Sequence, residues 1–339
     1  MNVLSLFDGM SCGQIALTNL GCFPDKYYAS EVDKFAIQQT SHVFPDTIHI
    51  GDVTKVDVSK LDKIDLIIGG SPCQSFSFAG KQVGMATTEN IEVTDLDQYL
   101  DLKIMGFEFT GQSYLFWEYM RILTEVRKYN PDVKFLLENV VMSKKWEAVL
   151  TNAIGVEPVK INSNLLSAQN RKRLYWTNIA EIMQPEDEGI FIRDILEDKV
   201  NEKYYVSDKA LKGMANRARI NAEKGIVFGE RIVSLDGKAN TICVYNGSRD
   251  FNLVVTNRGT GQAVGLTPDG KSKHVTAAEI DIIVRIGHTL RRLTPVECAR
   301  LQTVPSWYEW VVSDTQIYRM CGNGWTVRVI EHILKNLFV

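Results

Sequence analysis

Long apolar runs are absent from this chain of 339 residues, which argues against a helical membrane span. The six cysteines, at positions 12, 22, 73, 243, 298 and 321, form no CxxC pair and no His/Cys cluster with zinc spacing. A structural metal is therefore not expected, and a reduced cytoplasmic compartment is. The spaced three-glycine dinucleotide fingerprint is missing, as are internal repeats and low-complexity linkers. Met1 runs almost at once into the strand-like Val3-Leu4-Ser5-Leu6-Phe7, so no secretory leader is expected. What is present is an ordinary globular composition, 45% hydrophobic and 23% charged, at a length that suits one large or two modest domains.

The net charge of −3 hides an uneven distribution. Residues 199–300 carry 17 Lys and Arg against 10 Asp and Glu, leaving 21 basic against 31 acidic residues elsewhere. A basic segment in an acidic chain reads either as a footprint for a polyanion or as a solvated surface.

The first 180 residues alternate between strand and helix. Strand candidates are 2–7, 26–30, 64–69, 133–138 and 172–179; helix candidates are 12–20, 33–42, 114–129 and 143–153. Such alternation predicts an α/β fold with a doubly wound, mostly parallel sheet covered on both faces. Between Ser71 and Ser113 the periodicity fades, and a long active-site loop is expected there. After about residue 184 the pattern becomes short, turn-rich and β-like, which predicts a smaller second domain without helical alternation. Helices return at Thr294-Pro295-Val296-Glu297, with Thr as N-cap, Pro at the first position and Glu three residues on. A last helix is expected over 325–336.

Several strand ends carry chemistry. Gly69-Gly70-Ser71-Pro72-Cys73-Gln74 leaves a thiol just past an apolar strand, where ligands collect in open α/β sheets. A lone cysteine is more often buried packing, but Pro72 and the glycines set this one on a turn. Phe135-Leu136-Leu137-Glu138-Asn139-Val140 ends another strand in a carboxylate, so a nucleophile with an acid partner is suggested. Phe7-Asp8-Gly9 follows the first strand, where glycine lets backbone approach a ligand. Glu31 and Asp52, after the next strands, could hold a ribose and an adenine amino group. Each acid alone reads as a cap or surface turn; three in order favour a nucleoside. In Gln169-Asn170-Arg171-Lys172-Arg173, extended alternation would turn Gln169, Arg171 and Arg173 to one side, facing a phosphate or a base carbonyl, or simply solvent.

Taken together, these blocks resemble the DNA cytosine C5-methyltransferases of bacterial and phage type. The matching runs are Phe7-Asp8-Gly9, Ser30-Glu31-Val32-Asp33, Gly51-Asp52-Val53, Gly70 to Gln74, Glu138-Asn139-Val140, Gln169 to Arg173, Arg292 to Gln302 and Gly322-Asn323-Gly324, in the family's order. The resemblance implies a Rossmann-like class I methyltransferase domain with a smaller β-rich target-recognition domain. The expected division is 1–183 catalytic, 184–288 target-recognising, and 289–339 returning to the catalytic domain. It implies S-adenosylmethionine as cofactor, held by Phe7, Asp8, Gly9, Glu31, Val32, Asp52, Val53, Pro72 and Asn323.

The implied chemistry is methyl transfer to C5 of a cytosine flipped out of double-stranded DNA. Cys73 would add to C6, Glu138 would bind N3 and the exocyclic amine, Arg173 would bind O2, and Arg171 would support the thiol. Gln74 and Ser75 would close over the base, and Thr241-Ile242 resembles the Thr-Leu pair of the recognition domain. Around that pair, Arg231, Lys238, Arg249, Asn252 and Arg258 are candidate DNA contacts or plain surface charges. A monomer is expected, without metal or membrane, in the cytoplasm of a bacterial or phage-infected cell, associated with the nucleoid. The run Gly322-Asn323-Gly324-Trp325 departs mildly from the family's commoner pattern after Asn, and the role of Trp325 is open. A tRNA cytosine-5 methyltransferase of the same family would carry a Cys-Phe-Thr tripeptide, which is absent. A catalytically silent DNA-binding regulator fits poorly with an intact Cys73, Glu138 and Arg173. A nucleotide-dependent dehydrogenase leaves Pro72-Cys73 unexplained.

Overall fold

In the computed structural model of the chain, the described residues are 1–73, 76, 85–225, 231–242, 252–257, 260–264, 273, 274, 276, 280, 283 and 287–338. A seven-stranded sheet is built from β1 (Asn2–Leu6), β2 (Lys26–Ser30), β3 (Ile48–His49), β4 (Leu66–Gly70), β5 (Lys134–Val140), β6 (Val159–Asn162) and β7 (Lys172–Thr177). Its order is β3-β2-β1-β4-β5-β7-β6. The first five strands are parallel, while β7 runs antiparallel to both β5 and β6. The mostly parallel, Rossmann-like sheet expected from the alternation is therefore present, and β3 and β6 are additions to the strands expected from sequence.

Alternation along the central strands divides the interior into two cores. Val3, Leu66, Ile68 and Leu136 face one layer, with α1 (Cys12–Asn19) and the C-terminal α10 (Val327–Leu334). Leu4, Leu6, Ile67, Phe135 and Leu137 face the other, with α4 (Phe116–Tyr129) and α5 (Lys144–Ile154). Strands buried on both faces read as continuous apolar runs. In α10, Val327, Val329, Ile330, Ile333 and Leu334 are all fully buried. Each contributes about 1.5–3 kcal/mol by leaving water, and this stripe holds the C-terminal segment against the first helix. Ahead of it, α8 (Pro295–Leu301) begins with the expected Thr294–Glu297 capping box, and α9 (Asp314–Asn323) follows.

The chain winds outward from β1 to β2 and β3, then returns to add β4 on β1's other side. This reversal leaves a crevice beyond the C-terminal ends of β1 and β4, where open α/β sheets bind ligands.

Two stretches hold helices that the sequence reading did not anticipate. In the expected loop 71–113, Asp95 caps α3 (Leu96–Ile104), which buries Tyr99 and Leu102. In the β-like region, Ser207 caps the sixteen-residue α7 (Asp208–Glu223). Leu211, Met214 and Ala215 lie at helical spacing on α7 and pack against Ile232, Leu253, Val255 and Leu290. Those partners belong to a second sheet, ordered β10-β8-β9-β11, of β8 (Arg231–Ile232), β9 (Asn252–Asn257), β10 (Lys273–His274) and β11 (His288–Arg292). The short α6 (Ile192–Ile195) lies in the chain leading to it. Among the described residues, no helix is long and apolar enough to cross a membrane.

Candidate active site

Parallel pairing of β4 with β5 sets Gly70 opposite Glu138. The Cys73 turn and the Glu138 carboxylate therefore leave adjacent strand ends on the same side of the sheet. Asn139 joins them: its Nδ2 donates to Ser71 O at 3.2 Å and to Ser71 Oγ at 3.0 Å. Beyond the thiol, Phe76 N donates to Cys73 O at 3.0 Å, and the buried Phe76 ring packs on Trp146. Cys73 is thus fastened on both sides. Gln74 and Ser75, expected to close over a base, lie outside the described residues.

On β7, Tyr175 sits opposite Glu138, so Arg173 lies diagonally across the ladder on the same face, within reach of a long side chain. Its Nε meets Glu138 Oε1 at 2.8 Å. The second carboxylate oxygen, Oε2, accepts from the Trp325 indole at 3.2 Å. Glu138 is only 8% exposed, so this buried carboxylate has a donor on each oxygen. Burial pushes the Cys73 thiol up, and the neighbouring Glu138 charge pushes it the same way; Arg173 and then Arg171 oppose them. Together these influences favour the neutral thiol over the thiolate.

Gln169 and Arg171 precede β7 and are buried, and Arg171 borders the same cavity as Arg173. Arg171 Nη1 donates to Ile242 O at 3.1 Å, and Nη2 donates to Gly322 O and Gly324 O at 3.2 and 2.9 Å. The guanidinium ties three chain segments together, and Arg173 is the stronger positive neighbour of the thiol. Gln169 Oε1 accepts from Ile242 N at 2.7 Å, and Thr241 Oγ1 donates to Asn170 O at 2.6 Å. The Thr241-Ile242 pair is stitched to the arginine run rather than free-standing.

The same cavity, about 550 Å³, extends from Cys73 and Glu138 to the ends of β1 and β2. Phe7, Gly9 and Ser11 adopt left-handed φ values of 60°, 57° and 63°, turning the backbone sharply out of β1. Glu31 braces this turn: Oε2 accepts from Gly9 N at 2.8 Å, and Oε1 from Val32 N and Asp33 N at 2.7 and 2.8 Å. Val32 is 71% exposed, an aliphatic side chain presented at the rim of the cavity. Asp52 borders the cavity and also caps a short turn, accepting from Thr54 N at 2.9 Å. Val53, Pro72 and Asn323 border it too.

Asp8 reaches the cavity wall, but its oxygens are taken by Tyr27 Oη at 2.8 Å and Ser11 Oγ at 2.7 Å. Burial pushes its carboxyl up to about 6. It braces the turn rather than offering a free carboxylate. Gln112, Leu115 and Arg319 also border the cavity, and no sequence pattern marked them. Arg319 Nη1 pairs with Asp33 Oδ2 at 2.8 Å beside it.

Two candidate DNA contacts are turned inward. Lys238 Nζ donates to the carbonyls of Asn164, Ser167 and Ile190, and Asn252, 2% exposed, pairs with the backbone of Asn240. Arg231 reaches Asn240 Oδ1 at 3.3 Å, while Arg249 and Arg258 lie outside the described residues. Among the described residues, no cluster of His, Cys, Asp and Glu could hold a metal.

The family model for C-5 cytosine-specific DNA methylase matches residues 1–101 and 162–339. The unmatched interval holds β5 and with it Glu138. Among curated proteins, the type II methyltransferase M.HpaII of Haemophilus parainfluenzae is 30% identical, with 98% of this chain and 88% of that protein covered. The orphan methyltransferase M.SPRI of Bacillus phage SPR is 25% identical, with 99% and 97% covered. The solved structure of the S. pombe Dnmt2 methyltransferase superposes with a TM-score of 0.66 over 100% of this chain and 99% of that one. At 18% identity, that likeness speaks for the fold alone.

Proposed function

The chain belongs to the C-5 cytosine-specific DNA methylase family and is a DNA cytosine-5-methyltransferase, and we propose that it acts through a covalent Cys73–C6 adduct on a cytosine flipped out of duplex DNA. The observation that carries this reading is the meeting, at neighbouring strand ends, of a thiol with a buried carboxylate clamped by a guanidinium.

The cytosine C5 is a weak nucleophile until C6 is attacked. Cys73, as thiolate, bonds to C6, and the displaced electron pair moves toward N3. Glu138 delivers a proton to N3 while holding the exocyclic amine, and Arg173 holds O2. C5, now enamine-like, can attack an electrophilic methyl group. Once C5 is methylated, N3 returns its proton to Glu138, a base removes the C5 proton, and the C5–C6 double bond reforms as the Cys73–C6 bond breaks with its electron pair returning to sulfur as thiolate. Arg171 serves this site by fixing the backbone around it.

S-adenosylmethionine, when bound, supplies an electrophilic methyl group. The residues present suit it: Glu31 for ribose hydroxyls, Asp52 for the adenine amine, the exposed Val32 against the adenine plane, and the Phe7–Gly9 turn with Val53, Pro72 and Asn323 around the remainder. Asp8 keeps the turn in shape. Residues 184–288 form the target-recognising part, and the local positive balance favours a phosphate backbone as partner. We read the enzyme as a cytoplasmic monomer.

The test is transfer of labelled methyl groups to duplex DNA, alongside tRNA as an alternative acceptor. A detergent-stable complex with 5-fluorocytosine DNA is expected from the wild type and not from Cys73→Ser. Methyl transfer by Cys73→Ser at the wild-type rate would remove the nucleophile from this scheme.

A further inference from the structure

The tryptophan after Gly324 is an oddity of the sequence that the reaction scheme leaves unused. We propose that Trp325 is a positioning residue for Glu138: its indole N–H fixes the carboxylate in the orientation that delivers a proton to the base. This proposal rests on the methyl-transfer reading of the same site.

Three features support it. Trp325 Nε1 lies 3.2 Å from Glu138 Oε2, while Arg173 Nε addresses Oε1 at 2.8 Å. A carboxylate held by one oxygen still turns about its terminal torsion, which is broad. Held by both, it has one plane. Indole and guanidinium are donors only, so neither can take the proton that Glu138 must pass to the substrate. The other lone pairs stay available for it.

The surrounding chain maintains the contact. Gly70 is opposite Glu138 in the ladder, and a Cβ there would lie 2.8 Å from Trp325 Nε1 and 3.1 Å from Glu138 Oε2. Only glycine at the end of β4 leaves room for the pair. On the other side, Arg171 grips the carbonyls of Gly322 and Gly324, and Cys12 Sγ donates to Trp325 O at 3.6 Å. The indole is 9% exposed, so its N–H cannot exchange partners freely with solvent.

Trp325→Phe keeps an aromatic wall and removes the donor. Loss of one hydrogen bond to a charged group should lower kcat about tenfold to a hundredfold, with KM for S-adenosylmethionine unchanged. Gly70→Ala, which keeps the tryptophan but crowds the pair, should lower kcat in the same way. A wild-type kcat in Trp325→Phe, or a loss confined to KM for S-adenosylmethionine, would overturn the proposal. A second measurement needs no turnover. The indole N–H resonance absent from Trp325→Phe should move upfield in Glu138→Ala, and a resonance that stays in place would equally overturn it. An inactive wild-type enzyme would instead count against the methyl-transfer reading, with the resonance shift still reporting on the contact.

Discussion

Arg171→Lys separates an anchor from a catalytic cation. In the wild type, Nη1 serves Ile242 O while Nη2 serves Gly322 O and Gly324 O, at 2.9–3.2 Å, and the side chain is 3% exposed. A lysine has one nitrogen and cannot reach both sets of carbonyls, so it forfeits one or two of the three hydrogen bonds. Buried bonds to a charged group contribute about 1.5–3 kcal/mol each. The expected loss is therefore about 2–5 kcal/mol, a substantial part of the roughly 5–15 kcal/mol that typically holds a protein folded.

Thermal unfolding should register a fall of several degrees, and urea unfolding an earlier midpoint. Turnover should fall too, because the same carbonyls flank Asn323 and lead into Trp325. A lysine variant with wild-type melting and wild-type methylation would refute the anchoring argument. One with wild-type melting and lost methylation would return Arg171 to direct support of the thiol, the role implied by resemblance.

Three further outcomes follow from the electrostatics. Glu138→Gln removes the negative neighbour that pushes the Cys73 thiol up, so alkylation of Cys73 near neutral pH should be faster than in the wild type even as methylation is lost; an unchanged alkylation rate would contradict the coupling. Asp8 is protonated more readily folded than unfolded, its carboxyl raised from 3.8 to about 6. Its stabilising contribution is thus full below pH 3.8 and lost as pH rises through about 6, a change on the order of 3 kcal/mol. Asp8→Asn should gain stability relative to the wild type across that window, and parallel stability–pH curves would refute this. Arg291 and Glu297 form a bidentate pair at 2.8 Å with both side chains buried. Glu297→Gln strands a buried guanidinium and should cost about 3–5 kcal/mol in urea unfolding; a cost below about 1 kcal/mol would show that the site relaxes.

Much of this site is legible in the sequence, for a physical reason. Central parallel strands buried on both faces are continuous apolar runs, so β1, β2, β4 and β5 announce themselves, and the functional groups follow at their ends. The two-residue β3 and the mixed Val-Lys-Ile-Asn of β6 have no such run. The helix α7 leaves little apolar pattern, because only Leu211, Met214 and Ala215 of its sixteen residues are buried. Contacts between distant segments left no trace either: Asn139 to Ser71, Trp325 to Glu138, Arg171 to Gly324. Lys238 shows the limit most clearly. A lysine whose ammonium reaches phosphate and one whose ammonium caps three carbonyls are the same letter, and only the fold decides between them.

The resting site also bears on when Cys73 would become a thiolate. Cys73 is held as a thiol by burial and by the Glu138 charge, against Arg173 and Arg171. A base whose exocyclic amine donates to Glu138 would draw part of that charge onto itself, weakening one of the two influences that raise the thiol while both arginines remain. On this hypothesis the substrate helps to generate the thiolate that attacks it, and the half-buried cysteine stays less reactive without a bound base. The Glu138→Gln alkylation measurement probes the same coupling without DNA. If neutralising Glu138 leaves the thiol as unreactive as before, burial alone holds it.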